Sequence, residues 1–232
     1  MANSFKLVLY DQRGCGRSEA SKDQTYSMKD EVENLELLRQ KLGLNKINLF
    51  GESWGSMLAL LYATTYPDHV HKIVLTAAIG VTAEGMERFR KELENRLTDE
   101  DKDRLSLIKE GLEKGESTID DLLKVLDPYY VYAKGTLQRK EKTSIQHQVN
   151  QAIGTDIANN YDLREELLKL SNIPIVVIQG SHDILTPSII QELLIDHIPH
   201  SELVTIDQCG HWTVVEKPTE VNNITKEFLR GT

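Results

Sequence analysis

The sequence predicts an α/β fold: a mostly parallel sheet of about five or six strands, with a helical cap inserted into it. Three observations carry that expectation. Short runs rich in Val, Ile and Leu, nearly continuous in apolar residues, alternate with amphipathic stretches. That is the pattern of strands buried on both faces and separated by covering helices. A central segment, roughly residues 81–170, shows helical spacing and lacks strand signals. At 232 residues the chain can bury one full core with a small accessory lobe.

The elements follow in order. Lys6–Tyr10 (KLVLY) is the first strand signal. A helix comes next: Ser27 with Asp30 makes a capping-box-like start, Val32, Leu35, Leu38 and Leu42 recur at helical spacing, and Gly43 ends it. Lys46–Phe50 (KINLF) is the second strand, and Ser56–Tyr66 continues beyond it as a helix stopped by Pro67. Lys72–Thr76 (KIVLT) is the third strand. Within the central segment, three groups repeat at helical spacing: Met86, Phe89, Leu93 and Leu97; Leu105, Ile108 and Leu112; Ile119, Leu122, Leu123 and Leu126. Strands resume at Ile173–Gln179 and Glu202–Ile206, with Thr186-Pro187 opening one helix and Pro218 the last. The division this predicts is a core of residues 1–80 and 161–232 and a cap of residues 81–160.

Composition narrows the class of partner. The net charge of −9 repels phosphate backbones, which argues against nucleic acid. No apolar stretch nears the length of a membrane span, and Met1–Phe5 lacks the regions of a signal peptide. Two cysteines, Cys15 and Cys209, are too few for a disulfide framework and read as free thiols in a reducing compartment. A soluble, cytoplasmic protein acting on a small molecule or short peptide is expected.

Gly51-Glu52-Ser53-Trp54-Gly55 is the strongest chemical signal. G-x-S-x-G alone is weak, but here a buried strand runs into it and a helix leaves it. That strand–turn–helix context is what a nucleophile elbow requires. The turn is expected to need small residues at Gly51 and Gly55. It leaves the Ser53 hydroxyl above the sheet and the Trp54 amide at a helix start, where it can face a developing oxyanion. A serine hydroxyl needs a base, and the base needs an orienting carboxylate. His211 follows the last strand in a small-residue turn, Asp207-Gln208-Cys209-Gly210, which places it at the carboxyl edge of the sheet. His69, His71, His147, His197 and His200 read as surface or packing residues. Asp183, just past the fourth strand signal, is the candidate acid, with Asp207 as its rival. Arg13 is expected to pair with a loop carboxylate, and Cys209 lies close enough to His211 in sequence for thiol reagents to interfere.

The run Asp11-Gln12-Arg13-Gly14-Cys15-Gly16-Arg17-Ser18, with Ser53-Trp54-Gly55-Ser56 and Leu58-Ala59-Leu60 at the elbow, resembles the proline iminopeptidase family of α/β-hydrolases. Cys209-Gly210-His211 adds to the likeness, which covers residues 5–80 and 170–230. The resemblance implies an α/β-hydrolase core, a helical cap over the site, no metal or organic cofactor, and release of an N-terminal residue, often proline, from short peptides. The sequence departs from the family in three ways. Members carry several strands and a His-Gly-Gly-Pro-Gly loop before the Asp11 motif, and that loop supplies a second oxyanion donor. Here the preceding strand signal starts at Lys6, so either the chain begins inside a longer product or the sheet closes around the gap. KLVLY is therefore expected at the sheet edge or beside KINLF. Family caps also use tryptophan and glutamate to recognise the substrate's amino group, and residues 81–160 contain no Trp. Finally, Glu52 stands where the family has glycine. It is a candidate to bind a substrate ammonium, against the reading that it pairs within a loop. An esterase, lactonase or amidase of the same core is the alternative to the peptidase, and a catalytically impaired binding protein the third reading.

Overall fold

The computed structural model describes residues 1–141 and 144–231. The core starts with α1 (Met28–Lys41), β1 (Ile47–Glu52), α2 (Trp54–Thr65) and β2 (Val70–Thr76). Four helices follow: α3 (Glu84–Arg96), α4 (Asp99–Lys114), α5 (Ile119–Tyr130) and α6 (His147–Asn160). The core resumes with β3 (Ile175–Gly180), α7 (Pro187–Leu193) and β4 (Glu202–Ile206), then a four-residue helix α8 (Thr213–Glu216) and α9 (Pro218–Arg230). The strands pair in parallel in the order β1-β2-β3-β4.

Alternate residues of each strand enter opposite faces, and both faces of the central strands β2 and β3 are covered. Leu49, Ile73, Leu75, Ile175 and Val177 join the larger apolar cluster with α2. Val74, Val176, Ile178 and Ile206 pack with Cys209 and with Val221 of α9. Phe89, Leu105, Leu126 and Tyr130 of the inserted helices belong to the same cluster as α2, so the insertion sits on the core rather than beside it. Its two connections to the core are laced together. Ala83 N–H donates to Tyr161 O at 2.7 Å, Leu163 N–H to Val81 O at 2.9 Å, and the Tyr161 hydroxyl to Gly80 O at 3.0 Å.

Local signals account for the helices. Ser27 caps α1, its Oγ accepting from Asp30 N–H at 3.1 Å and donating to the Asp30 carboxylate at 2.8 Å. Thr98 caps α4, and Thr118 with Asp121 forms a full capping box on α5. Between α1 and α2 lies a buried polar network. Arg39 Nε donates to Glu36 at 2.9 Å, the Tyr62 hydroxyl donates to the same carboxylate at 2.8 Å, and the guanidinium holds Glu36 far below the usual carboxylate range. The helix leaving the elbow is thus fixed to α1.

One strand expectation fails. Lys6–Tyr10 is irregular, and Leu7, Val8 and Tyr10 are partly exposed, with Leu9 91% exposed. It pairs with no strand of the sheet, which has four strands among the described residues where five signals stood in the sequence. Apolar composition says only that a segment suits a ladder; it does not bring a neighbouring backbone to pair with. β1 is the outermost strand on that side among the described residues, and its Phe50, level with Val74, faces out beyond the cover of α9.

Candidate active site

Ser53 sits between β1 and α2 with φ 53° and ψ −119°, a backbone region costly for any residue with a Cβ. Its surroundings impose that geometry: Ser53 N–H donates to Thr76 O at 3.1 Å, and the Ser53 carbonyl accepts from Ser56 N–H at 2.8 Å and Ser56 Oγ at 2.6 Å. A Cβ on Gly51 would stand 2.1 Å from the Gly55 carbonyl oxygen, whereas one on Gly55 would meet nothing within 4 Å. The tight turn therefore demands glycine on one side of the serine only, which corrects the symmetric reading of the motif.

The structure brings Ser53, Asp183 and His211 together. His211 Nε2 is 2.9 Å from Ser53 Oγ, and His211 Nδ1 is 2.9 Å from Asp183 Oδ1. This network assigns the proton to Nδ1, donating to the carboxylate, and leaves Nε2 to accept from the serine hydroxyl. Asp183 is fully buried. Its Oδ2 accepts from Gln179 Nε2 at 2.9 Å, and Gln179 is held in turn by Ala78 N–H at 2.9 Å. Arg96 of α3 donates to the carbonyl of His182 at 3.1 Å, tying the acid loop to the insertion. Burial alone would depress the His211 pKa, but the Asp183 charge and hydrogen bond, aided by Glu52, raise it above the ordinary histidine value.

Rings close over the imidazole: Phe89 at 4.8 Å, Tyr130 at 5.3 Å and Trp212 at 5.7 Å between centroids. The turn carrying His211 is fastened mainly through Glu216 of α8. That buried carboxylate accepts from Gly210 N–H at 2.6 Å, Tyr132 N–H at 3.0 Å and Ala133 N–H at 2.9 Å. Trp212 N–H donates to Tyr130 O at 3.0 Å, and its indole donates to Asp127 at 2.9 Å. Lys140 Nζ pairs with the same Asp127 at 2.8 Å and lies 5.3 Å from the Trp212 ring centre. Gly210 admits this packing because a Cβ there would stand 2.5 Å from Tyr130 O.

The remaining sequence candidates fall as follows. The Trp54 amide opens α2 directly after the serine, and the Trp54 indole donates to Gln12 Oε1 at 3.2 Å, so the Asp11 turn reaches the elbow through Gln12. Glu52 is directed to α8: its Oε1 accepts from Thr213 Oγ1 at 3.0 Å and Val214 N–H at 3.3 Å. Burial raises its pKa, while the nearby imidazole and those two hydrogen bonds oppose the rise. Asp207, the rival acid, accepts from Ser181 Oγ at 3.2 Å, away from the imidazole. Arg13 pairs with Glu31 at 3.3 Å and Asp30 at 3.4 Å, both on α1 rather than a loop. Cys209 is fully buried with its thiol pushed up to about 12, so its proximity to His211 gives no reactive thiolate. His69 pairs with Glu36, His147 with Glu113, and His200 with the Ile173 carbonyl.

Gln179 and Glu216 are the site residues that sequence reading misses. Gln179 is visible only as the last polar residue of a buried strand, and Glu216 only as a glutamate five residues after the histidine. Among the described residues there is no cluster of three His, Cys, Asp or Glu side chains placed to hold a metal ion. Among them, too, no helix is long and apolar enough to cross a membrane.

A parallel sheet, a strained serine at a strand–helix turn, and a histidine and acid delivered from later strand ends define an α/β-hydrolase arrangement. The family model described as alpha/beta hydrolase fold matches residues 2–218, and the chain belongs to that family. Curated relatives include the proline iminopeptidase of Lactobacillus helveticus, 25% identical, with 97% of this chain and 80% of the relative covered. The proline iminopeptidase of Saccharolobus solfataricus is 27% identical, with 97% and 76% covered. Among solved structures, an alpha/beta fold family hydrolase from Bacillus anthracis superposes with a TM-score of 0.77 at 24% identity, covering 94% of this chain and 80% of the other. A thermophilic esterase from Thermogutta terrifontis gives 0.70 at 23% identity, covering 94% and 77%.

Proposed function

We propose that this chain is a serine hydrolase that works through an acyl-enzyme, with Ser53 as nucleophile, His211 as general base and Asp183 as the orienting acid. The observation that carries the reading is the continuous relay Ser53 Oγ–His211 Nε2 at 2.9 Å and His211 Nδ1–Asp183 Oδ1 at 2.9 Å. Ser53 Oγ attacks a carbonyl carbon as its proton passes to Nε2, and the Trp54 amide donates to the oxygen that gains charge. The imidazolium, stabilised by Asp183, returns that proton to the departing amine or alkoxide. Water then attacks the ester carbon with His211 again as base, releasing the acid and restoring the serine.

For the substrate, the named relatives favour a short peptide with a free N-terminus, cleaved after a proline-type first residue. A second reading, a carboxylic ester, is favoured by what the acidic groups around His211 already do. Asp127 is paired with Lys140 and the Trp212 indole, Glu216 with three backbone amides, and Glu52 with Thr213 and Val214. Each already holds partners within the protein, so a substrate ammonium would have to share it with them. A fluorophosphonate should label the wild type at Ser53 and leave Ser53→Ala unlabelled. Parallel assays on a prolyl arylamide and a short-chain aryl ester then decide the substrate. Failure to label, with neither substrate turned over, sinks the hydrolase reading.

A further inference from the structure

Glu52 occupies a position with two connections to the proposed machinery. It precedes Ser53 in the chain, at the end of β1, and its carboxylate reaches across to the first residues of α8, immediately after His211. Thr213, which donates to it, is fully buried, so this contact lies inside the protein rather than on a solvated rim. Nucleophile and base arrive from chain segments about 160 residues apart, and the Glu52–Thr213 bond fastens those segments within two residues of each reacting group. The second connection is electrostatic: Glu52 adds to Asp183 in favouring the protonated imidazole.

We propose, building on the triad reading, that Glu52 is a positioning residue that pins the His211 turn to the elbow and, through its charge, stabilises the imidazolium formed during acyl transfer. It does so through His211 rather than by touching substrate. The charged and titratable groups facing that imidazole come from several elements. Asp183 lies after β3, Glu52 at the end of β1 and Arg96 on α3, where its positive charge opposes the two carboxylates. The Tyr130 ring from α5 lies against the imidazole, Glu216 holds the preceding Gly210, and Asp127 with Lys140 flanks Trp212. Removing the charge of Glu52 alone leaves that remainder in place. A carboxylate that shares the enclosed region around His211 acts on it through a medium that screens charge less than water does.

Glu52→Gln separates the two roles, because its amide oxygen still accepts from Thr213 Oγ1 and Val214 N–H. The imidazole should then bind its proton less tightly. In protein carrying 15N-labelled histidine, the His211 titration should move to lower pH by about one unit. The acidic limb of kcat/KM, which reports deprotonation of the base, should move the same way. The maximal kcat should fall about tenfold, with KM within twofold, since the lost stabilisation belongs to the transition state. Thr213→Val tests the pinning role: it keeps the charge and should lower kcat without moving the His211 titration downward. The NMR titration needs no turnover, and fluorophosphonate labelling of the same samples reports separately whether Ser53 is a nucleophile. A Glu52→Gln protein whose His211 titration and kcat both match wild type overturns the proposal while leaving the triad reading intact. If Glu52→Gln does not fold, an unchanged kcat in Thr213→Val overturns it.

Discussion

Around His211 the chain converges from many sides: the acid loop after β3, Phe89 of α3, Tyr130 at the end of α5, and α8 through Glu216. Ser53 is fixed by its own elbow, by Thr76 of β2, and through Trp54 by one bond to Gln12 of the Asp11 turn. The proton-transfer half of the site is thus held redundantly. The half proposed to stabilise an oxyanion rests on the start of α2, which the Trp54 indole ties to the Asp11 turn through Gln12. The contrast teaches that orienting a base and building an oxyanion site are separate structural tasks. The first is met by buried hydrogen bonds along the β3–β4 side. The second depends on backbone donors at the β1 edge.

Breaking the well-held half should have the largest effect. Ser53→Ala and His211→Ala should each lower kcat by about 10⁶, because the members of a triad act as a unit. Asp183→Asn should cost about 10⁴ by favouring the wrong imidazole tautomer, with folding checked by circular dichroism. If Asp183→Asn stays near wild-type rates while Asp207→Asn loses activity, the assignment of the acid fails.

The less supported half is exposed by the choice of leaving group. If the Trp54 amide acts without a second donor, the difference corresponds to about 10²–10³ in rate. Activated aryl esters demand less stabilisation from the enzyme than amides do. Their kcat/KM should therefore exceed that of a matched prolyl arylamide by about 10² or more. Equal efficiency on the two would mean that a second donor, with Gln12 the first to mutate, completes the site.

The pH profile sharpens the same contrast at smaller amplitude. The proposed base acts in its neutral form, and Asp183 raises the proton affinity of His211 despite burial. Activity should therefore rise with pH through a midpoint above the ordinary histidine value of about 6.5. The stability linkage has the opposite slope. A raised folded-state pKa contributes stability below about pH 6.5, and that contribution is lost as pH climbs through the folded value. A kcat/KM profile with its acidic midpoint below the ordinary value would contradict the Asp183–His211 pairing.

Much of this was legible in the sequence, for reasons that differ by residue. Ser53, Asp183 and His211 each follow a strongly apolar strand, and strand ends in a parallel sheet bring loops from distant positions to one edge. Helices α1, α7 and α9 announced themselves through Ser27, Pro187 and Pro218, which act within a few positions of the chain. What stayed hidden depends on long-range geometry. Glu216 earns its place by accepting backbone amides from residues near 132, which no local pattern encodes. Lys6–Tyr10 has strand composition without a neighbouring strand, and Cys209 stands near His211 in sequence yet lies buried with its thiol protonated.

The elbow itself holds the finest test, since the two glycines of one motif differ in what they do. Gly51→Ala would place a Cβ against the Gly55 carbonyl, a backbone atom that cannot rotate away, and should destabilise the fold by about 3 kcal/mol. Gly55 stands in the first turn of α2 with open space where a Cβ would go. Alanine there restricts the unfolded chain and suits a helix, so Gly55→Ala should stabilise the protein by about 0.5 kcal/mol. Urea denaturation of the two variants resolves the difference, with the midpoint rising for one and falling for the other. Fluorophosphonate labelling of Gly55→Ala should keep the wild-type rate within about twofold, as expected for a substitution that leaves the Trp54 amide undisturbed. If both alanines lower the midpoint alike, the turn is tight on both sides and the asymmetry read from the Gly51 contact is wrong.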